Sequence, residues 1–162
     1  MAHTANDAVD VFDPVSRRYL FSVPDLPGVA GALVSDQSGL IFSSNRAADT
    51  IGVFAPGPNP AVRIIDVGRG PNGLAYDPRR QLVLAANVGD PSVPGSHTLS
   101  MIDLAGGTSR TEIAARGRTR WAVFDPTPEL FYVNIAQPAE IVVVDPRQPD
   151  CIARSFAVPH AG

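Results

Sequence analysis

Three asparagines close similar apolar runs: Asn45 in "IFSSN", Asn87 in "VLAAN" and Asn134 in "FYVN". They follow Asp36, Asp77 and Asp125 by 9, 10 and 9 residues. His3 stands 10 residues before Asp13, as Asn45 stands 10 before Ala55. Brought to one rim, three amides and an imidazole could hold a metal ion or a polar ligand. The structural reading is that each Asn bonds the backbone of its own turn. Repetition of one residue at repeated turns favours that reading.

Two further sets carry charge. Asp25, Arg69 and His160 each lie two residues beyond a valine (Val23, Val67, Val158). They differ from one another, which suits a specific site, and a His among them can work as acid or base near neutral pH. Solvated loop residues are the plainer reading. In "ARGRTRW", Arg116, Arg118 and Arg120 alternate and Trp121 follows. Alternation puts the arginines on one side of an extended segment, where guanidinium forks could clamp a carboxylate or phosphate. Trp121 could stack beside them or fill a gap. Asn72, in "GPNGLAYDP", and His97, at the end of "VGDPSVPGSH", complete the candidates.

Familiar catalytic signatures are missing from the sequence. It has no Gly-x-Ser-x-Gly elbow, phosphate loop or dinucleotide fingerprint, and no pair of histidines at metal-binding spacing. Cys151 is the single cysteine, which excludes an internal disulfide and a multi-cysteine metal site. A buried, inert thiol is expected there. The net charge of −3 gives no global case for nucleic acid. No apolar run reaches the ~20 residues of a membrane helix.

These residues need a frame, and the punctuation of the chain supplies one. Gly (14) and Pro (16) recur along the whole chain and do not pool in one linker. Between them lie strands of four to seven residues rich in Val, Ile, Leu, Phe and Tyr. After each Asn comes a third strand ("TIGVFAP", "TLSMIDL", "EIVVVDP") and then a fourth ("AVRIIDV", "RTEIAA", "IARSFAV"). Four antiparallel strands per forty-odd residues is the unit of a β-propeller blade. The expected class is therefore all-β, a propeller segment of about three and a half four-stranded blades. Blades span 28–68, 69–117 and 118–162, after a partial blade over 1–27. A β-sandwich is the main rival.

The Asn-ended second strand, "VNIA" and "AANV", and the "GPNGLAYDP" opening resemble the YVTN, or YncE-like, family of β-propellers. The resemblance covers essentially the whole chain. It implies a propeller fold and says little about activity, because this fold hosts many. Both ends of the chain interrupt the repeat. The expectation is a piece of a longer, seven- or eight-bladed propeller, its missing blades supplied by a longer chain or a partner.

In a propeller, the fourth-to-first and second-to-third connections share one face at the channel mouth. The candidates His3, Asn45, Arg69, Asn72, Asn87, His97, Arg118, Arg120, Trp121, Asn134 and His160 are expected there. The expected function is a non-catalytic scaffold binding a protein, a cell-surface component or a small ligand, with no cofactor. The alternative is a propeller enzyme of lactonase or lyase type, with a His-based site or a divalent cation such as calcium. Relatives of the resembled family are often exported, so a periplasmic or secreted location fits a longer parent.

Overall fold

The computed structural model describes residues 1–106 and 108–158, with the backbone path alone for 108–110. The described residues hold fifteen strands and one short 3₁₀ turn, and no α-helix. The first blade is a three-stranded sheet of β1 (Ala2–His3), β2 (Ala8–Asp13) and β3 (Arg18–Val23). The second contains β4 (Val29–Ser35), β5 (Leu40–Asn45), β6 (Thr50–Phe54) and β7 (Arg63–Asp66). The third contains β8 (Pro71–Asp77), β9 (Leu82–Asn87), β10 (Thr98–Asp103) and β11 (Thr108–Ala114). The fourth contains β12 (Thr119–Asp125), β13 (Leu130–Ile135), β14 (Glu140–Val144) and β15 (Arg154–Ala157). Every pairing is antiparallel between chain neighbours. This is the meander of propeller blades.

The turns have a common cause. Asp13, Asp77, Asp103, Asp125 and Asp145 each accept, through Oδ1, the amide two residues ahead at 2.9 Å. An aspartate that bonds its own turn backbone fixes a tight reversal. The equivalent position in the second blade is Ser35, which pairs with Leu40 as Asp77 pairs with Leu82 and Asp125 with Leu130. Spacing in the sequence points to Asp36, which lies one residue beyond, inside the turn. Ser35 supplies the shorter, weaker substitute, its Oγ accepting the Ser38 amide at 3.4 Å.

The core lies between blades, not within them. Val9 and Val23 of the first blade pack on Leu26, Val29, Ile41 and Phe54. Phe42, Ile51, Val53 and Ile65 of the second pack on Leu74, Tyr76, Val83 and Ile102 of the third. Leu84, Leu99 and Met101 of the third meet Phe131, Val133 and Val142 of the fourth. A single sheet leaves both faces wet, and stacking buries them at about 1.5–3 kcal/mol per large apolar side chain.

The first strands β4, β8 and β12 line the inner side and approach backbone to backbone. A Cβ on Gly31 would stand 2.8 Å from the carbonyl oxygen of Asn72, and one on Gly73 would collide with the carbonyl of Arg120. Each first strand carries a bulge at this point, between Val29 and Gly31, Pro71 and Gly73, and Thr119 and Ala122. Cys151 is exposed, in the loop between β14 and β15. The expected burial of its thiol is corrected: the loop holding it runs outside the stacked sheets.

Candidate functional site

The face built by the β5–β6, β9–β10 and β13–β14 turns and the entries to β4, β8 and β12 is held by backbone bonds. Arg46 N reaches Gly28 O at 3.3 Å, Gly89 N reaches Arg69 O at 2.8 Å and Ala136 N reaches Arg118 O at 2.8 Å. Two carboxylates tie one blade to the next. Asp7 Oδ1 accepts the Gly28 amide at 2.6 Å, and Asp49 Oδ1 accepts the Gly70 amide at 2.8 Å. Gly28 and Gly70 have φ of +63° and +65°, a left-handed backbone in which glycine is unstrained.

The proposed Asn ring divides on this frame. Asn45 and Asn87 are fully buried, their Nδ2 groups donating to Thr50 Oγ1 at 3.2 Å and Thr98 Oγ1 at 2.9 Å. Asn87 Nδ2 also reaches Ser100 Oγ at 2.7 Å. Their Oδ1 atoms have no hydrogen-bond partner. Asn134 does not join them. Asn45 pairs with Thr50 and Asn87 with Thr98, whereas the residue paired at the same place with Glu140 is Ile135. Asn134 therefore points to the opposite side of the sheet and is exposed. His3 does occupy the Asn register, paired with Ala8. Its Nδ1 meets Asp10 Oδ2 at 2.9 Å, and Ser22 Oγ donates to Asp10 Oδ1. Those bonds, Ser22 foremost, hold the Asp10 carboxyl below its usual range.

The second set also separates. Leu26 N bonds Asp7 O and Val67 N bonds Asp49 O, so Leu26 and Val67 are equivalent. Asp25 precedes that position and Arg69 follows it. Arg69 pairs with Asp90 at 3.4 Å. The Asp90 carboxyl is lowered by Ser92 first, with Arg69 contributing less. His160 lies outside the described residues.

What the fold does assemble is a cleft of about 550 Å³ where the second, third and fourth blades meet. Arg46 enters it from the β5–β6 turn, Arg116 and Arg118 from the β11–β12 connection. His97 and Gln137 complete the polar lining, and Val88 and Pro91 give it an apolar wall. His97 Nδ1 donates to Val88 O, which leaves Nε2 as the ring nitrogen free to meet a ligand. None of the three arginines makes an ion pair among the described residues. Arg120 and Trp121 are not part of this cleft. Trp121 is exposed and borders a small recess with Gly31, Asn72 and Leu74. Asn72 donates to Arg120 O at 3.4 Å, so its amide serves the blade junction.

Arg46 and Gln137 had no sequence signal. Arg46 lies 42 residues before the next contributor, Val88, and only stacking brings it in; Gln137 lies 19 residues beyond Arg118 and is set beside it by the Ala136 N to Arg118 O bond. The extended Val88–His97 loop was the visible sign: β9 and β10 are separated by residues 88–97, where the other second-to-third turns have four residues. A second recess, of about 450 Å³, runs along the inner strands and is mostly apolar, with Val34, Tyr76 and Val123 among its walls and Asp36 and Gln37 at its polar edge. Among the described residues, no group of three His, Cys, Asp or Glu side chains is placed to hold a metal ion. No helix of the described chain is long and apolar enough to cross a membrane.

No protein-family model matches the chain, and no curated protein matches it in sequence. Solved structures do match it in shape. One is Kuenenia stuttgartiensis hydrazine synthase, with a TM-score of 0.82 at 13% identity over 96% of this chain and 44% of that one. The likeness is one of fold. A functionally unknown protein from Desulfotomaculum acetoxidans DSM 771 gives a TM-score of 0.72 at 13% identity, over 93% of this chain and 49% of that one. The chain thus spans under half the length of the structures it matches, and the fold it shares with them is the stack of four-stranded blades.

Proposed function

We propose that the chain is a non-catalytic binding scaffold that takes its ligand on the face bearing the second-to-third turns and the blade entries. The observation that carries this is the cleft itself. Residues from three blades converge on it, and the one lengthened second-to-third loop, Val88–His97, forms its wall. An insertion on a rigid repeat scaffold is where binding residues collect. Sites of this size hold small molecules. The resemblance to YVTN-type repeats, through "AANV" and the "GPNGLAYDP" opening, supports the propeller frame on which this reading rests.

The test is a thermal-shift screen of neutral, cationic and anionic small molecules against the chain, with each hit followed for chemical turnover. A ligand stabilises the state it binds. The scaffold reading expects hits that persist unchanged and are lost when residues 88–97 are replaced by a four-residue turn. A hit converted to product, or hits indifferent to the loop, would overturn it.

A further inference from the structure

We propose that the cleft between the second, third and fourth blades is a site for a small polyanion, a phosphate ester or a di- or tricarboxylate, held by Arg46, Arg116 and Arg118. This deepens the scaffold reading and rests on it.

The charge balance is the first argument. Arginine cannot shed its proton at any physiological pH. Three guanidinium groups gathered in one recess therefore repel unless an anion joins them. The nearby carboxylates are engaged elsewhere: Asp49 with the Gly70 amide, Asp90 with Ser92 and Arg69. On the opposite face Arg79 and Arg80 are paired with Glu129 and Arg147 with Asp145, while Arg17, Arg18 and Arg63 line no common recess with the cleft arginines. The chain carries a net charge of −3, yet this recess is lined by cations and no carboxylate.

Rigidity is the second argument. Gly89, at φ +71°, lies so close to Ser96 that a Cβ there would stand 2.6 Å from the Ser96 carbonyl oxygen. Gly117 passes directly beneath the Gln137 carbonyl and has no room for a Cβ. His97 is tied to Val88 O. Walls already in place spare a ligand the cost of ordering them.

Size and lining give the ligand class. Guanidinium forks match carboxylate and phosphate oxygens in pairs. A recess of about 550 Å³ exceeds the needs of one such group. Val88 and Pro91 offer apolar contact to an organic body. Three cations call for a ligand with two or more negative charges.

The experiment is isothermal titration of the 162-residue chain with pyrophosphate and, separately, citrate, at low and at physiological salt. At least one is expected to bind with a Kd below about 1 mM, weakening as salt rises. Tighter pyrophosphate binding identifies the phosphate source; tighter citrate binding identifies the carboxylate source. Arg46→Ala and Arg118→Ala should each weaken binding about tenfold or more, since hydrogen bonds to charged groups are the strong ones. Arg120→Ala, outside the cleft, should leave it unchanged. All three side chains are exposed, and thermal melts of the variants confirm that the fold is kept. Failure of both anions to bind at about 10 mM overturns the proposal. So does binding that survives the Arg46→Ala/Arg118→Ala double variant. If the wider screen finds only neutral ligands on this face, the anion class falls and the scaffold stands. Turnover of a bound anion would sink the scaffold reading and leave the anion site.

Discussion

Arg80, in the β8–β9 turn, reaches Glu129, in the β12–β13 turn, at 2.7 Å and so joins the third blade to the fourth. Its other arm holds the fully buried Asp77 at 2.8 Å. Removing Arg80 would leave the Asp77 carboxylate with only the Arg79 and Arg80 amides, and a buried charge stripped of its partner is costly. Arg80→Ala should therefore lower Tm clearly more than Arg79→Ala, whose side chain is 77% exposed. The Glu129 carboxyl is held below its ordinary 4.5, first by the Arg80 hydrogen bond. A depressed folded value means stability that is present above pH 4.5 and lost as pH falls through the folded value. Wild type should melt above Glu129→Gln at neutral pH, and the two curves should converge in acid. Parallel curves down to the lowest pH would show that this ion pair contributes nothing.

Asp49 tests the carboxylate ties on the opposite face. Its Oδ1 accepts the Gly70 amide at 2.8 Å, which fixes the entry to β8. Asp49→Ala leaves that amide without its acceptor and should cost about 1 kcal/mol by denaturant unfolding. Asp49→Asn keeps an acceptor oxygen in place and should recover most of the loss. The shape of the arginine cleft depends on the same turn, since Arg46 lies within it. Asp49→Ala is thus expected to weaken polyanion binding as well.

Strand order and blade count were legible because they depend on local chemistry. Turn aspartates, Pro and Gly punctuate the chain, and β-branched runs fill the intervals. Register was less legible. Asp36 and Asn134 each stand one residue from the place that spacing assigned them, next to Ser35 and Ile135. A slip of one residue sends a side chain to the other face of the sheet. The sequence shows how far apart two residues are, while register depends on which carbonyl each amide finds. The cleft was half legible. Arg116, Arg118 and His97 were visible as a basic run and a long loop. Arg46 comes from another blade and is brought in by stacking, and Gln137 reaches the cleft through the pairing of its turn with the Arg118 entry of its own blade, which depends on register. Arg120, in the same alternating run, parts from its neighbours at the bulge between Thr119 and Ala122.

The divided Asn ring gives a paired prediction. Asn87 is fully buried and donates to both Thr98 and Ser100. Asn87→Ala should cost about 1–3 kcal/mol, through lost bonds and an unsatisfied hydroxyl. Asn134 is exposed on the other side of its sheet, so Asn134→Ala should stay within about 0.5 kcal/mol of wild type. Equal costs at the two positions would restore the ring as a shared structural rule and contradict the register seen here.

Gly73 offers the sharpest test of how the blades meet. A Cβ there would collide with the Arg120 carbonyl, stand 2.8 Å from Ala122 N and 2.9 Å from Trp121 Cα. These are backbone atoms of the neighbouring inner strand and cannot swing aside. Gly73→Ala must part β8 from β12, and overpacking of this kind costs about 1–3 kcal/mol. Trp121 is the only tryptophan and is 64% exposed, so its fluorescence reports on this junction alone. The variant should shift Trp121 emission and lower Tm together. Gly39→Ala is the control. Its position has open space around it but a φ of +65°, so it should lose stability through backbone strain while Trp121 emission stays fixed. A shift in both variants would mean that the emission follows global loosening. A shift in neither would mean that the inner strands lie farther apart than the Gly73 contact requires.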